Sequence, residues 1–226
     1  MGIEQRFADT FTEAIRLELE PARRLHSPAR LELAAKRLLD IGLAAVLLCM
    51  LAPALLVTAI LIRLDSAGPA LFRQTRLGLR GKPFDILKFR TMTVLENGDR
   101  IVQATANDPR VTRIGRLLRK ASIDELPQLI NVLKGEMSLV GPRPHARAHD
   151  EHYARAIDNY RIRQGVKPGI TGWAQVQGFR GETPTVEAMR QRVECDVWYV
   201  DHFSLSLDLQ ILLRTPFEIF RHRNAH

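Results

Sequence analysis

Residues 41–62 read IGLAAVLLCMLAPALLVTAILI, and this stretch decides how the chain folds. It carries no charged side chain, and about 22 residues suffice for a helix to cross the hydrocarbon core of a bilayer. The stretch begins too far into the chain, and lacks the small-residue cleavage pattern, to be a signal peptide. The simplest interpretation is a single transmembrane helix.

Pro53, near the centre of this stretch, favours a different path. A proline inside a helix removes one backbone hydrogen bond and clashes with the preceding turn, which predicts a sharp kink. Each half is then about a dozen residues, or about 17 Å, which crosses only half of the hydrocarbon core. A helix-break-helix that enters and leaves the same leaflet fits these lengths.

Basic side chains flank the apolar stretch on both sides. The positive-inside tendency therefore places both flanks in the cytoplasm, which a straight span cannot satisfy. Because proline is tolerated in membrane helices, the residues alone leave the re-entrant hairpin and the kinked span equally supported. The flanking basic residues are Arg23, Arg24, Arg30, Lys36 and Arg37 before the stretch, and Arg63, Arg73, Arg76, Arg80 and Lys82 after it.

The overall composition is that of a globular protein with a polyanionic partner. Among its 226 residues, 46% are hydrophobic and 26% are charged, and the net charge is +8 with a pI near 10.1. Such a balance favours nucleic acid, anionic lipid or a phosphorylated substrate. The apolar stretch and the lack of any recognised nucleic-acid motif argue against nucleic acid, so no nucleic-acid partner is predicted.

Three segments follow from these patterns. Residues 1–35 form an N-terminal amphipathic arm, in which Phe7, Phe11, Ile15 and Leu19 recur every four residues among arginines. Residues 36–65 form the apolar membrane segment, for which the re-entrant and the spanning path both stay open, and residues 66–226 form a small globular domain that ends in an amphipathic helix. For both amphipathic helices, packing on the domain remains an alternative to lying at the membrane surface.

The third segment is predicted to be mixed α/β and rich in helix. Alternating apolar residues in Pro83–Arg90 predict a short strand. Helices are predicted for Val111–Lys120, Leu126–Leu133 and Thr185–Val200, and the sequence Val140-Gly141-Pro142-Arg143-Pro144 predicts a rigid turn.

An acidic pair stands inside a basic cluster at Ser122-Ile123-Asp124-Glu125-Leu126-Pro127-Gln128-Leu129. With Asp124 as the helix cap, Pro127 falls where no intrahelical donor is needed; with Ser122 as the cap, Ser122 and Glu125 form a capping box. Both alternatives place the carboxylates at a helix N-terminus, which keeps a carboxylate ionised and attracts phosphate. The cluster predicts anionic substrates, a metal ion and a reactive carboxylate.

Five blocks of residues occur in order along the chain: Gly68–Gln74, Lys88–Met92, Asp124–Gln128, Asn131–Pro144 and Lys167–Val176. Together they resemble the bacterial sugar transferases, the monotopic polyprenyl-phosphate phosphoglycosyl transferases. The resemblance covers the chain from about Lys36 to Phe220.

The resemblance implies an enzyme of the bacterial inner membrane, with its catalytic domain on the cytosolic face. It would move a sugar 1-phosphate from a UDP-sugar to undecaprenyl phosphate and would contain a re-entrant helix broken at Pro53. Asp124 resembles the nucleophile that forms a covalent phosphosugar intermediate. Glu125 resembles its partner, which helps to bind Mg²⁺ or activates the acceptor.

Phosphate-binding roles follow for four basic residues, because a carboxylate that approaches a pyrophosphate needs cations around it. The candidates are Lys88, Arg90, Arg119 and Arg143. Metal binding is assigned to Asp124 and Glu125, with Mg²⁺ as the cofactor.

The donor sugar follows from two further stretches. Pro144–His149 and Gly178–Thr183 resemble the branch that transfers glucose 1-phosphate from UDP-glucose in exopolysaccharide synthesis. UDP-galactose or a UDP-N-acetylhexosamine remains the alternative within the same chemistry, and a non-catalytic membrane scaffold is the alternative of a different class. The oligomeric state stays open, a homodimer included. His145, His149 and His152 lack zinc-site spacing and are expected to contact phosphate or to lie at the surface.

Overall fold

The computed structural model describes residues 30–93, 108–181, 183 and 185–220. Within these ranges the protein is mixed α/β and rich in helix, as predicted. Its helices are α1 (Arg30–Asp65), α2 (Arg113–Ala121), α3 (Gln128–Lys134), α4 (Arg147–Ala156), α5 (Trp173–Val176), α6 (Val186–Asp201) and α7 (Leu205–Phe220). Its strands are β1 (Leu71–Leu77), β2 (Pro83–Phe89), β3 (Ser138–Val140) and β4 (Gly169–Thr171). Short 3₁₀ turns cover Leu79–Gly81, Ile123–Glu125 and Tyr160–Gly165.

Helix α1 carries the apolar stretch. It has 36 residues, which corresponds to about 54 Å of helix. Among the described residues it is the one helix long and apolar enough to cross a membrane. Its most apolar 18-residue stretch has a mean hydropathy of 2.8, and only 11% of that stretch is buried. Such low burial is unlike that of a core helix. Helix α1 is continuous through Pro53, and the predicted division into two helices is not seen.

The first turns of α1 are tied to the globular part of the protein. Arg37 donates hydrogen bonds to the carbonyls of Val132 at 2.6 Å and Leu133 at 2.8 Å, at the C-terminal end of α3. Carbonyls in the last turn of a helix lack the usual donor four residues later, and a cation there also complements the helix dipole. Asp40 is buried and accepts a hydrogen bond from the backbone N–H of Leu139 at 3.0 Å.

The last turns of α1 contact the same globular part. Asp65 accepts a hydrogen bond from the backbone N–H of Ile114 at 3.2 Å, in the first turn of α2, where an acidic group is favoured. Ile62 packs against Phe89 and Leu118 in a small buried cluster. Both ends of α1 are therefore fixed to one folded body.

Strands β1 and β2 form an antiparallel hairpin in which Leu71 faces Phe89 and Leu77 faces Pro83. The strand predicted for Pro83–Arg90 is thereby confirmed. Asn131 of α3 extends the pairing, because its side chain accepts from the N–H of Leu87 at 3.0 Å and donates to the carbonyl of Asp85 at 2.8 Å. This contact holds α3, and the turn before it, against the hairpin.

The short strands β3 and β4 are parallel and bring two turns into close contact. A Cβ on Gly141 would lie 2.3 Å from the backbone oxygen of Lys167, so only glycine fits at this position. The rigid turn predicted at Val140–Pro144 is therefore packed closely against the turn that precedes β4. This packing fixes the backbone that carries Arg143.

The helices predicted around the site are confirmed with small shifts of their ends. Helix α2 begins after Thr112, whose hydroxyl accepts from the N–H of Gly115 at 2.9 Å. Helix α3 ends at Gly135, which adopts a φ of 83°, the left-handed conformation that glycine favours. Thr185 caps α6.

Helix α7 is amphipathic. Ile211 is buried, whereas the side chains of Leu213 and Phe217 are 72% and 70% exposed. With Leu209, these residues form an exposed apolar stripe at a spacing of four residues. The helix predicted for the N-terminal arm lies mostly outside the described residues.

Candidate active site

Asp124 and Glu125 lie in the 3₁₀ turn Ile123–Glu125, directly before α3. The predicted capping arrangements were wrong, because Pro127 occupies the N-cap of α3 and no side chain caps that helix. Pro127 has no N–H with which to continue helical bonding into the turn, so the preceding residues tighten into i→i+3 bonds. Ser122, with a φ of 57°, separates this turn from α2.

Glu125 is held by two basic residues from different parts of the chain. Lys88, near the end of β2, donates to Glu125 Oε1 at 3.0 Å, and Arg143 donates to Glu125 Oε2 at 2.8 Å and also to Oε1. Burial raises the pKa of the Glu125 carboxyl, but the charges and hydrogen bonds of Arg143 and Lys88 outweigh it and hold this pKa well below its ordinary value. Glu125 is therefore ionised, and it fixes both cations beside Asp124.

Asp124 is buried, with 9% of its surface exposed. Its carboxylate accepts no hydrogen bond from any residue that the structure describes. Burial and the neighbouring charge of Glu125 raise its pKa to about 6, although Lys88, Arg143 and Arg119 act in the opposite direction. At neutral pH the carboxylate is thus mostly ionised, poorly hydrated and free to react, as a nucleophile requires.

The structure brings together three of the four basic residues that the sequence predicted. Lys88 and Arg143 contact Glu125 directly. Arg119, in the last turns of α2, is close enough for its charge to lower the pKa of Asp124.

Arg90 is placed elsewhere. Its guanidinium is buried and donates to the carbonyls of Ile62 at 3.3 Å, Ser66 at 2.7 Å and Ala67 at 2.8 Å. It therefore stabilises the C-terminal end of α1 and does not face the acidic pair. Its backbone N–H continues the hairpin pairing, with a hydrogen bond to the carbonyl of Ala70 at 2.8 Å, but its side chain is directed to the end of α1 by contacts that the strand pattern does not reveal.

Two further arginines belong to the cluster and were missed. Arg76 of β1 is influenced by the charges of Arg143 and Glu125, and burial together with the Arg143 charge lowers its pKa to about 10. Arg180 feels the charges of Glu125 and Asp124 and donates a hydrogen bond to the Ser122 hydroxyl. Arg76 could have been found from the register of the hairpin. It pairs with Phe84, and this places it on the same face of the hairpin as Lys88. Arg180 lies in the Gly178–Thr183 stretch that was related to the donor sugar, but no spacing connects it with the acidic pair.

Behind Arg143 lies a buried polar network. Arg163 donates to the backbone carbonyl of Arg143 and binds the carboxylate of Asp196, with a nitrogen–oxygen distance of 2.9 Å. His145 is also buried, and its Nδ1 lies 2.6 Å from the hydroxyl of Tyr160. His145 was expected at the surface or on phosphate; instead it helps to support the turn that carries Arg143.

The cluster has the charge pattern of a diphosphate site. Two carboxylates are surrounded by Arg76, Lys88, Arg119, Arg143 and Arg180. The excess of positive charge attracts a phosphorylated ligand, whose oxygens can replace Glu125 as partner of the cations.

The acidic pair also fits the requirements of Mg²⁺. This ion takes oxygen ligands and is commonly held by one or two carboxylates together with substrate phosphates. Asp124 accepts no hydrogen bond from the described residues, and Glu125 Oε2 accepts only one from them, so both retain lone pairs for an ion. Among those residues, no group of three or more His, Cys, Asp or Glu side chains forms a metal site by itself, so substrate phosphates and water would supply the other ligands of an ion.

The chain is also similar in sequence to known proteins. A family model described as bacterial sugar transferase matches residues 31–222. Over 191 residues the chain is 56% identical to a UDP-glucose:undecaprenyl-phosphate glucose-1-phosphate transferase of Caulobacter vibrioides, covering 84% of this chain and 72% of that protein. It is 52% identical to the protein of the same name from Escherichia coli, covering 84% of this chain but 41% of that relative. An exopolysaccharide production protein of Rhizobium leguminosarum is 46% identical, with 82% of this chain and 94% of that protein covered.

Proposed function

The chain belongs to the bacterial sugar transferase family, and we propose that it moves glucose 1-phosphate from UDP-glucose onto undecaprenyl phosphate, with release of UMP. The observation that carries this proposal is Asp124, a buried and ionisable carboxylate without hydrogen bonds from the described residues, placed among cations. UDP-glucose as donor follows from the names of the relatives from Caulobacter vibrioides and Escherichia coli. The product would begin an exopolysaccharide or another surface glycan.

The reaction proceeds in two displacements at phosphorus. An oxygen of Asp124 attacks the phosphorus that bears the sugar; this P–O bond forms while the bond to the bridging oxygen breaks, and UMP leaves with that oxygen. An oxygen of undecaprenyl phosphate then attacks the phosphosugar on Asp124. The new pyrophosphate bond forms, the acyl phosphate bond breaks, and the Asp124 carboxylate is regenerated.

The cations lower the barrier by stabilising charge on the phosphates. Lys88 and Arg143 reach the position of the acidic pair from β2 and from the Pro-Arg-Pro turn, and Arg119 adds a positive charge from α2. Because these groups are fixed by the fold, little reorganisation is needed when the diphosphate arrives.

Mg²⁺, bound by the phosphates with Asp124 and Glu125, would neutralise part of the diphosphate charge. Glu125 already has the second task of holding Lys88 and Arg143. Its charge also keeps the pKa of Asp124 above the ordinary value, so that the nucleophile is only weakly stabilised before it attacks.

The enzyme works at the cytosolic face of the inner membrane, with α1 inserted in one leaflet. Both ends of α1 contact the same folded body, through Arg37 and Asp40 at one end and Asp65 at the other. A helix that crossed the bilayer would place these contacts on opposite sides. A re-entrant path that bends near Pro53 keeps both ends on one side.

The test is release of UMP from a panel of UDP-sugars by the purified protein with Mg²⁺ and undecaprenyl phosphate. Turnover with UDP-glucose, and not with UDP-galactose or UDP-N-acetylglucosamine, is the expected result. Turnover with another sugar only would keep the chemistry and discard glucose. No release from any UDP-sugar by folded, membrane-bound protein would favour the scaffold alternative.

A further inference from the structure

A cavity of about 170 Å³ that opens to the surface lies beside Glu125. This volume is smaller than the roughly 300–1,000 Å³ of a site that encloses a whole small molecule, so the cavity would hold only one part of a ligand. Aliphatic side chains form much of its wall: Ala121, Ile123, Leu126, Ile170 and Val176. Polar side chains form the rest of the lining: Ser122, Glu125, Thr171, Gln175, Arg180, Thr215 and Glu218. Such a lining suits a ligand that has both an apolar and a polar part.

Arg180 gives this cavity a cationic end. Its side chain lines the cavity together with Ser122, to whose hydroxyl it donates a hydrogen bond. The charges of Glu125 and Asp124 both act on it, so it lies near the carboxylate that would carry the phosphosugar. A ligand with an anionic head and an apolar chain matches this arrangement.

The cavity is also next to the surface that would meet the membrane. Thr215 and Glu218 of α7 contribute to its wall. On other faces of the same helix, the side chains of Leu213 and Phe217 are exposed, as in helices that lie in the interface of a bilayer. A lipid could therefore reach the cavity along α7 without leaving the membrane surface.

We propose that this cavity binds the first isoprene units of the polyprenyl phosphate acceptor and that Arg180 holds the acceptor phosphate. The proposal rests on the function proposed above and assigns its second substrate to a site. The donor diphosphate occupies the opposite part of the cluster, around Lys88 and Arg143. The acceptor phosphate then approaches Asp124 after UMP has left.

The test is binding of radiolabelled undecaprenyl phosphate to the full chain in nanodiscs, with no UDP-sugar present. Ala121→Phe fills the cavity from an exposed rim position, and we expect it to weaken binding about tenfold or more by removing apolar contact area. Arg180→Ala should weaken binding by a similar factor, through loss of charge-assisted hydrogen bonds, and Arg180→Lys should restore part of it.

A matched control is Lys120→Phe, which adds the same ring one residue earlier, at an exposed position outside the cavity wall. It should bind the acceptor as the unaltered protein does. Excess phosphatidylglycerol in the nanodiscs should not compete, whereas unlabelled undecaprenyl phosphate should. Equal competition by phosphatidylglycerol would overturn the proposal, because the site would then be a general lipid site.

The donor half-reaction separates the remaining outcomes. With UDP-glucose alone, Ala121→Phe should still release one UMP per enzyme. Normal lipid binding with loss of UMP release in this variant would assign the cavity to the donor and refute the proposal. If the unaltered protein released no UMP, the proposed function would fail, while the lipid-binding result would still decide the cavity.

Discussion

Replacing Glu125 by Gln removes the charge that holds the site together while keeping the shape of the side chain. In the structure this carboxylate binds Lys88 and Arg143, and its side chain is 15% exposed. The variant leaves two cations close together without a counter-charge. Their side chains are 19% and 27% exposed, respectively, so water can relieve part of the cost.

The magnitude follows from these contacts. Breaking a fully buried ion pair by removing one partner costs about 3–5 kcal/mol. With partial access to water we expect Glu125→Gln to lower the free energy of unfolding by about 2–3 kcal/mol. For a chain of this size each kcal/mol corresponds to about 2–4 °C, which predicts a fall in Tm of about 4–12 °C.

The assay is thermal unfolding followed by circular dichroism in detergent, with Glu151→Gln as the matched control. Glu151 pairs with Arg147 on an exposed helix face, and its side chain is 30% exposed, so its loss should cost only about 0.3–0.5 kcal/mol. The Glu125→Gln, Arg143→Gln double variant should be less destabilised than the sum of the two single variants. Equal Tm values for the Glu125 and Glu151 variants would refute the role assigned to Glu125.

Three other predictions follow from the site and its supports. Burial and a neighbouring carboxylate raise the pKa of Asp124 to about 6, and only the ionised form is expected to attack. Single-turnover UMP release should therefore rise about tenfold per pH unit below this pKa and level off above it. A rate that does not change between pH 5 and 7 would contradict this. Arg90→Met should lower Tm by about 5–10 °C, since three carbonyls at the end of α1 lose their donor, while an unchanged Tm with a raised KM for UDP-glucose would restore the phosphate role. Gly141→Ala should lower the free energy of unfolding by about 1–3 kcal/mol, because the added Cβ would lie 2.3 Å from a backbone oxygen. The strain should also displace Arg143 and slow UMP release. Gly42→Ala is the control, since a Cβ there meets nothing within 4 Å.

The sequence was most informative where local chemistry determines structure. The alternation in Pro83–Arg90 identified β2, and the helix predicted for Leu126–Leu133 is α3 with its ends shifted. The acidic pair was identified because two adjacent carboxylates are unusual in a basic segment. The ordered blocks of the family resemblance added Lys88 and Arg143 to the predicted site. Both contact Glu125 in the structure.

The remaining features depend on contacts between distant segments. Whether a cation faces a phosphate or the carbonyls of a helix end is decided by tertiary packing, so Arg90 was assigned the wrong neighbours. Arg180 lies 58 residues from the Ser122 hydroxyl that it binds, and no spacing rule connects them. The acidic pair occupies a 3₁₀ turn because Pro127 interrupts the bonding there, whereas both capping alternatives began the helix before Pro127.

The central claim is that Asp124 becomes covalently attached to the sugar phosphate. The most direct measurement is mass spectrometry of peptides from protein incubated with UDP-glucose and Mg²⁺ in the absence of undecaprenyl phosphate. The account predicts one hexose phosphate on Asp124, its removal when undecaprenyl phosphate is added, and no adduct in Asp124→Asn. An adduct on another residue, or substantial transfer by folded Asp124→Asn, would contradict it.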